Sequence, residues 1–301
     1  MKTSFKSYVA IVFAELCWGL SFIWTQQLAG RQQIPVFVLI FVRMVLATVG
    51  MAVISLAVGA KLKIARKDIK YFLLLAFFEP FLYFIGETFG IKATASPTLS
   101  ALIIAIIPVF TMFADMLFYK TKVPAIAKLG VLLTVPGAVL MVIEKNSGAA
   151  VYWWGIALLM LAVLSSCGYS ITLRKLVDSY SAITINTWLF FIGSIFFLPF
   201  FLATKGDFPV VNMFRSPAIE PLLCLAVLCS CGAFSCYVYA LKHIGITRAC
   251  IFAATIPIVS AVASYFMGIE TFSPLQILGI AIVIAGVILA QKTSKKHHNL
   301  S

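Results

Sequence analysis

Two carboxylates, Glu79 and Glu87, stand in the stretch Phe78–Gly90, Phe-Glu-Pro-Phe-Leu-Tyr-Phe-Ile-Gly-Glu-Thr-Phe-Gly, which is otherwise apolar enough to cross a bilayer. An ionisable side chain at the middle of a membrane helix costs roughly 2.5–3.5 kcal/mol on insertion scales, so it faces a protein interior or a wet cavity and marks a functional position by default. At helical spacing Glu79, Tyr83 and Glu87 fall at i, i+4 and i+8 and point to one side of the helix. Pro80 follows the first Glu and frees backbone groups there, which a membrane helix tolerates only beside protein, water or polar side chains. The stretch reads as one wall of a polar path. Glu79 would exchange a proton during a transport cycle or attract a cationic substrate group directly.

The embedded cation is Arg43, set against Glu15, Glu79, Glu87 and Asp115. By depth, Arg43 and Glu87 both fall in the outer half, so the expectation is that they pair and leave Glu79 nearest the midplane without an obvious partner. Asp115 and Lys128, near the ends of adjacent helices, are expected to snorkel or to pair with each other. Trp18, Tyr83, Tyr169 and Tyr237 lie inside spans with polar neighbours, where their amphipathic rings suit a cavity wall; Trp153 and Trp154 open a span and fit an interfacial belt.

These residues must be positioned by membrane helices. Of 301 residues, 62% are hydrophobic and 11% charged, against about 45–50% apolar and 25% charged in soluble domains. No segment is polar enough to be an attached soluble domain. The net charge of +13 sits in short clusters between apolar spans rather than along one face, which fits loop topology and not a nucleic-acid site. The seven cysteines lie in or beside apolar spans and read as packing residues; Cys229, Cys231 and Cys236 match no common zinc spacing, and neither metal nor cofactor is expected. Spans are expected near 8–28, 35–58, 69–91, 95–118, 124–143, 152–173, 183–203, 218–241, 246–267 and 274–291. The first approaches the length of a spanning helix and lacks an Ala-x-Ala site, so it is read as a retained helix and not a signal peptide. With Arg43 set aside, seventeen Lys and Arg residues fall on one side and five on the other (Arg31, Lys92, Lys145, Lys205, Arg215), which places both termini in the cytoplasm. The tail 292–301, with His297 and His298, reads as a solvated end.

The chain also repeats itself. Pro108 aligns with Pro257, 149 residues on, and the same offset pairs Gly19 with Gly168, Ser21 with Ser170, Gly130 with Gly279 and Gly137 with Gly286. Two five-helix halves follow, 1–148 and 149–301. Because five is odd, the second enters the membrane inverted, an arrangement that places a substrate site near the midplane between the repeats. Pro108 and Pro257 then kink their helices, as structural bends or as gates of an alternating-access cycle. The paired glycines, two helical turns apart in each half, let their helices pack closely on a neighbour or on a second copy of the chain, so a homodimer stays open.

Trp18-Gly19-Leu20-Ser21-Phe22, Arg43-Met44-Val45-Leu46-Ala47, Ser100-Ala101-Leu102 leading to Pro108-Val109-Phe110-Thr111, and Gly245-Ile246-Thr247-Arg248-Ala249 followed by Pro257-Ile258, Glu270, Gln276, Gly279 and Gly286-Val287 carry a resemblance over nearly the whole chain. In their order they resemble the drug/metabolite transporter superfamily, in its EamA-type ten-helix branch. The family's Gly-Glu pair after helices four and nine is imperfect: Ile269 precedes Glu270, and Thr121 stands where the first copy would carry Glu. The resemblance implies transport of small organic metabolites or drugs, in the export direction, across a bacterial inner membrane without ATP hydrolysis. From the residues alone, an enzyme is disfavoured because no HExxH, nucleophile elbow or phosphate loop is present. A channel and a non-transporting scaffold are the alternatives.

Overall fold

The structure is a computed structural model and describes residues 5–111, 126, 129, 130, 132–134, 136, 137, 140, 150–206, 208–244 and 251–291. Among these residues the chain is helical and contains no strand. Among the described residues six helices are long and apolar enough to cross a membrane: α1 (Phe5–Arg31), α2 (Val36–Ala57), α3 (Arg66–Thr94), α5 (Ala150–Leu173), α6 (Ala182–Thr204) and α7 (Ile219–Ile244). Three shorter apolar helices are α4 (Pro97–Thr111), α8 (Phe252–Phe266) and α9 (Pro274–Gln291). The expected pairing of Asp115 with Lys128, the polar turn at 144–148, Arg248, Cys250 and the tail lie outside the described residues.

Helix α2 shows why this is a membrane fold. Its outward stripe, Val45, Val49, Val53 and Leu56, is exposed and wholly aliphatic, while its inward face buries Arg43 at 5% exposure among Met44, Ala47 and Met51. A soluble amphipathic helix does the reverse. The turns confirm an alternating path. Gly86 and Gly90 of α3 lie against Leu158, Leu159 and Ala162 of α5, while Gly155 meets Ala93 and Thr94, so the two helices run antiparallel. One end of the bundle carries Lys61, Lys63, Arg66, Lys67, Lys70, Arg174 and Lys175. There Tyr180 donates to Asp68 Oδ2 (2.7 Å) and accepts the Ala65 amide (3.1 Å), and Trp188 Nε1 donates to the Leu62 carbonyl (2.7 Å), so the 58–65 connection is tied to the α5–α6 linker and to α6. Arg31 and Lys92, in the last turns of α1 and α3, and Lys205 and Arg215, between α6 and α7, lie at the other end.

The glycine pairs resolve into one contact. A Cβ on Gly286 would lie 2.7 Å from the Gly130 carbonyl oxygen, and one on Gly137 would lie 2.8 Å from that of Gly279. Going forward along one helix therefore means going backward along the other. The partners also exchange under the 149-residue offset, so segments that correspond in the two halves cross each other antiparallel, as an inverted repeat requires. Of the two partners left open, a neighbouring helix or a second copy, these glycines have the neighbour within the chain.

Matched interruptions occur in both halves. In α3 residues Phe77–Leu82 form a wider π-type turn, and in α7 Cys224–Ala233 do the same, which the offset places in register. In α4 the helix pauses at 105–106, just before Pro108. In α8 a tight 3-10 turn over Ile251–Ala254 precedes the α-helix Thr255–Phe266, which holds Pro257. Proline lacks the N–H that would continue the ladder, so both helices re-form their first turn around it.

Candidate functional site

The break in α3 sets the geometry. Glu79 has φ −142° and ψ 119°, extended backbone, because the residue before a proline is pushed out of the helical region. It therefore leaves the helical stripe, and the expected i, i+4, i+8 alignment survives only between Tyr83 and Glu87. There the Tyr83 hydroxyl donates to Glu87 Oε1 at 3.1 Å. Glu79 turns to α5 instead, where Ser166 Oγ donates to its Oε2 at 3.4 Å. Next to it, Ser165 Oγ donates to the carbonyl of Phe78, in the interrupted turn. Pro80 fits against Gly193 of α6, where no larger residue has room.

Among the described residues Arg43 and Glu87 form no ion pair or hydrogen bond with each other, contrary to the expected pair. Arg43 Nε donates to Ser230 Oγ at 3.0 Å, and its guanidinium lies over the Phe84 ring, 4.2 Å from the centroid. Ser230 in turn donates to the Leu225 carbonyl inside the π-type turn of α7. The matched interruptions thus hold Glu79 at the first and, at the second, the serine that fixes Arg43. Arg43 remains close enough for its charge to act on Glu79, Tyr83 and Glu87. Tyr169, at 3% exposure, lies within electrostatic reach of Glu79, and its hydroxyl has no hydrogen-bond partner among the described residues.

Trp18 and Tyr237 form a second, adjoining group. The Trp18 ring lies 5.0 Å from Tyr237 and 5.3 Å from Phe234. Cys229, beside Ser230, donates its thiol to the carbonyl of Cys17, beside Trp18, which joins the aromatic group to the charged one. Cys231 likewise donates to the Ala47 carbonyl, so these thiols pack as buried small groups. Sequence reasoning missed Ser166, Ser230 and Phe84. The adjacent Ser165-Ser166 in an aliphatic span was a usable sign; nothing in the sequence marked Phe84 or Ser230 as neighbours of Arg43.

Comparison with known proteins bears on this arrangement. A model described as the EamA-like transporter family matches residues 5–143 and again 153–291. The chain is 24% identical over 310 residues to the uncharacterized inner membrane transporter YicL of Salmonella typhimurium, covering 98% of each chain. It is 25% identical over 207 residues to a probable terminal-alkyne amino-acid exporter of Streptantibioticus cattleyicolor, covering 69% of this chain and 66% of that protein. A solved crystal structure superposes with a TM-score of 0.71 at 13% identity, over 94% of this chain and 96% of the other, a likeness of fold alone.

Proposed function

The chain belongs to the EamA-like transporter family, and from that premise we propose that it is a ten-helix secondary transporter or facilitator of two inverted repeats. It moves small organic metabolites or drugs, amino-acid-like or cationic, outward across the cytoplasmic membrane by alternating access, with both termini in the cytoplasm. The observation that carries this reading is the buried group Arg43, Glu79, Tyr83, Glu87 and Tyr169, gathered at the interrupted helices of the two halves. Interrupted helices at a repeat interface are where carriers place their sites, because the freed backbone and embedded charges are tolerated only beside a ligand, water or polar side chains.

Two carboxylates and one guanidinium suit a ligand with an amino group. Glu79, held by Ser166, attracts the cationic pole; Arg43, pinned by Ser230 and Phe84, receives a carboxylate where the ligand has one. Trp18, Tyr169 and Tyr237 wall the apolar part. Similarity to a protein named as an amino-acid exporter supports the substrate class and the direction, and similarity to YicL supports an inner-membrane location.

A ligand that binds only the folded protein raises its apparent stability. The purified protein and Glu79→Gln are therefore heated with a panel of amino acids, organic cations and sugar derivatives. Cationic and zwitterionic amines are expected to raise the melting temperature of the wild type and not of the variant. Stabilisation by neutral compounds that survives in Glu79→Gln would remove Glu79 from the substrate site. Saturable, vectorial flux with counterflow in liposomes is the companion result; non-saturating flux would identify a channel, and no flux a scaffold.

A further inference from the structure

Glu270 lies just beyond α8, where Gly268 takes a positive φ (64°) and lets the chain double back, so that the amides of Ile269 and Glu270 both donate to the Ser264 carbonyl at 2.8 and 3.2 Å. That turn drives the Glu270 side chain into the first half of the molecule. Its carboxylate accepts the hydroxyls of Ser96 and Thr98 and the amide of Thr98 (3.1 Å), at the start of α4. Ser96 is also the N-cap of α4, accepting the Leu99 amide at 3.2 Å, and Pro97 opens the helix. Ser96 and Thr98 are fully buried, and Glu270 is 9% exposed. A carboxylate at a helix N-terminus gains from charge-assisted hydrogen bonds and from the helix dipole. In this place it does so across the two halves.

The matched location in the other half cannot build the same contact. The offset carries Glu270 back to Thr121 and Ser96 forward to Gly245, so the carboxylate and one of its hydroxyl donors are both missing there from the sequence. We propose that Glu270 is a one-sided latch. It holds the start of α4 to the end of α8 and closes that face of the carrier, and the matched positions of the other half do not carry its carboxylate. The proposal rests on the alternating-access reading above, and it gives that reading a resting state: closed at the Glu270 face and the more easily opened at the other. With the termini cytoplasmic, the carrier rests accessible from the cytoplasm, where an exported compound must load.

Hydrogen exchange followed by mass spectrometry on the full-length protein in lipid nanodiscs reads this without any substrate. In Glu270→Gln, exchange in 92–105 is expected to rise about tenfold, the loss expected for a hydrogen bond to a charged group. Exchange in the matched segment 241–254 is expected to fall, because opening one face of an alternating-access carrier closes the other. A rise in 92–105 with no change in 241–254 would make Glu270 a local helix cap and overturn the latch, as would no change in either. Should Glu270→Gln not fold, Thr98→Val removes a single hydroxyl donor and must show the same opposed changes at smaller amplitude; their absence overturns the latch equally. Liposome flux tests transport separately: flux without the opposed exchange would overturn the latch and keep the carrier reading, whereas no flux would sink the carrier reading and the latch with it.

Discussion

At the scale of single residues, the position of Arg43 is decided by neutral partners. A buried guanidinium needs donors satisfied and its charge faced by something polarisable; Ser230 takes the Nε–H and the Phe84 ring faces the charge. Arg43→Lys is expected to weaken both contacts, because a lysine ammonium is a strongly hydrated point charge that cannot lie flat on the Phe84 ring while donating sideways to Ser230 as the planar guanidinium does. A hydrogen bond to a charged group is worth about 1.5–3 kcal/mol, so the thermal midpoint of the purified protein should fall by several degrees. A double-mutant cycle on folded stability should show stronger coupling between Arg43 and Ser230 than between Arg43 and Glu87. Equal or reversed coupling would restore the ion pair that depth alone suggested. Glu15 differs from all of these: it is 1% exposed in α1, and among the described residues its Oε2 has no hydrogen-bond partner.

At the scale of elements, small residues decide how closely helices approach, and close approach fixes the direction in which they cross. In lipid there is no hydrophobic drive between helices, so association depends on packing of this kind. Gly137→Leu and Gly286→Leu each push a side chain into backbone less than 3 Å away. Overpacking of this sort costs about 1–3 kcal/mol or more, and both variants are expected to lose most of their monodisperse yield in size-exclusion chromatography. Gly232→Ala is the control, since its nearest neighbour is the Phe13 ring at 3.3 Å, which can move. Yields unchanged in the leucine variants would mean that the crossing is not held by these glycines. The interrupted turns belong to this scale as well. Pro80 announced the one in α3, but the one in α7 contains no proline and becomes visible only as a wider turn in register with it.

For the whole molecule, the helices sort the charges to two ends. The exposed Ser179 lies in the linker at the end rich in lysine and arginine, and the exposed Thr204 at the opposite end. Under the positive-inside rule the first end is cytoplasmic. In intact cells, a membrane-impermeant maleimide should label Thr204→Cys and spare Ser179→Cys, measured above the background of the native thiols. The reverse pattern would put the termini outside and turn the Glu270 face toward the cytoplasm, where the latch would favour uptake over export.

The sequence by itself determined the solvent of the fold, the register of its two halves and the stretch where polar chemistry is concentrated. Composition, the 149-residue offset and charges inside apolar spans are local or periodic quantities that one chain displays without folding. Glu79, Arg43, Tyr83 and Glu87 were readable for that reason, and so was the Tyr83–Glu87 contact, whose spacing lies within one helix. Only the tertiary structure decided which helix faces which. Ser166 reaches Glu79, Ser230 takes Arg43 and Glu270 crosses to Ser96 and Thr98 because the rotation and tilt of each helix are set by packing against its neighbours. The break at Glu79 then re-aims a side chain that an unbroken helix would have placed elsewhere.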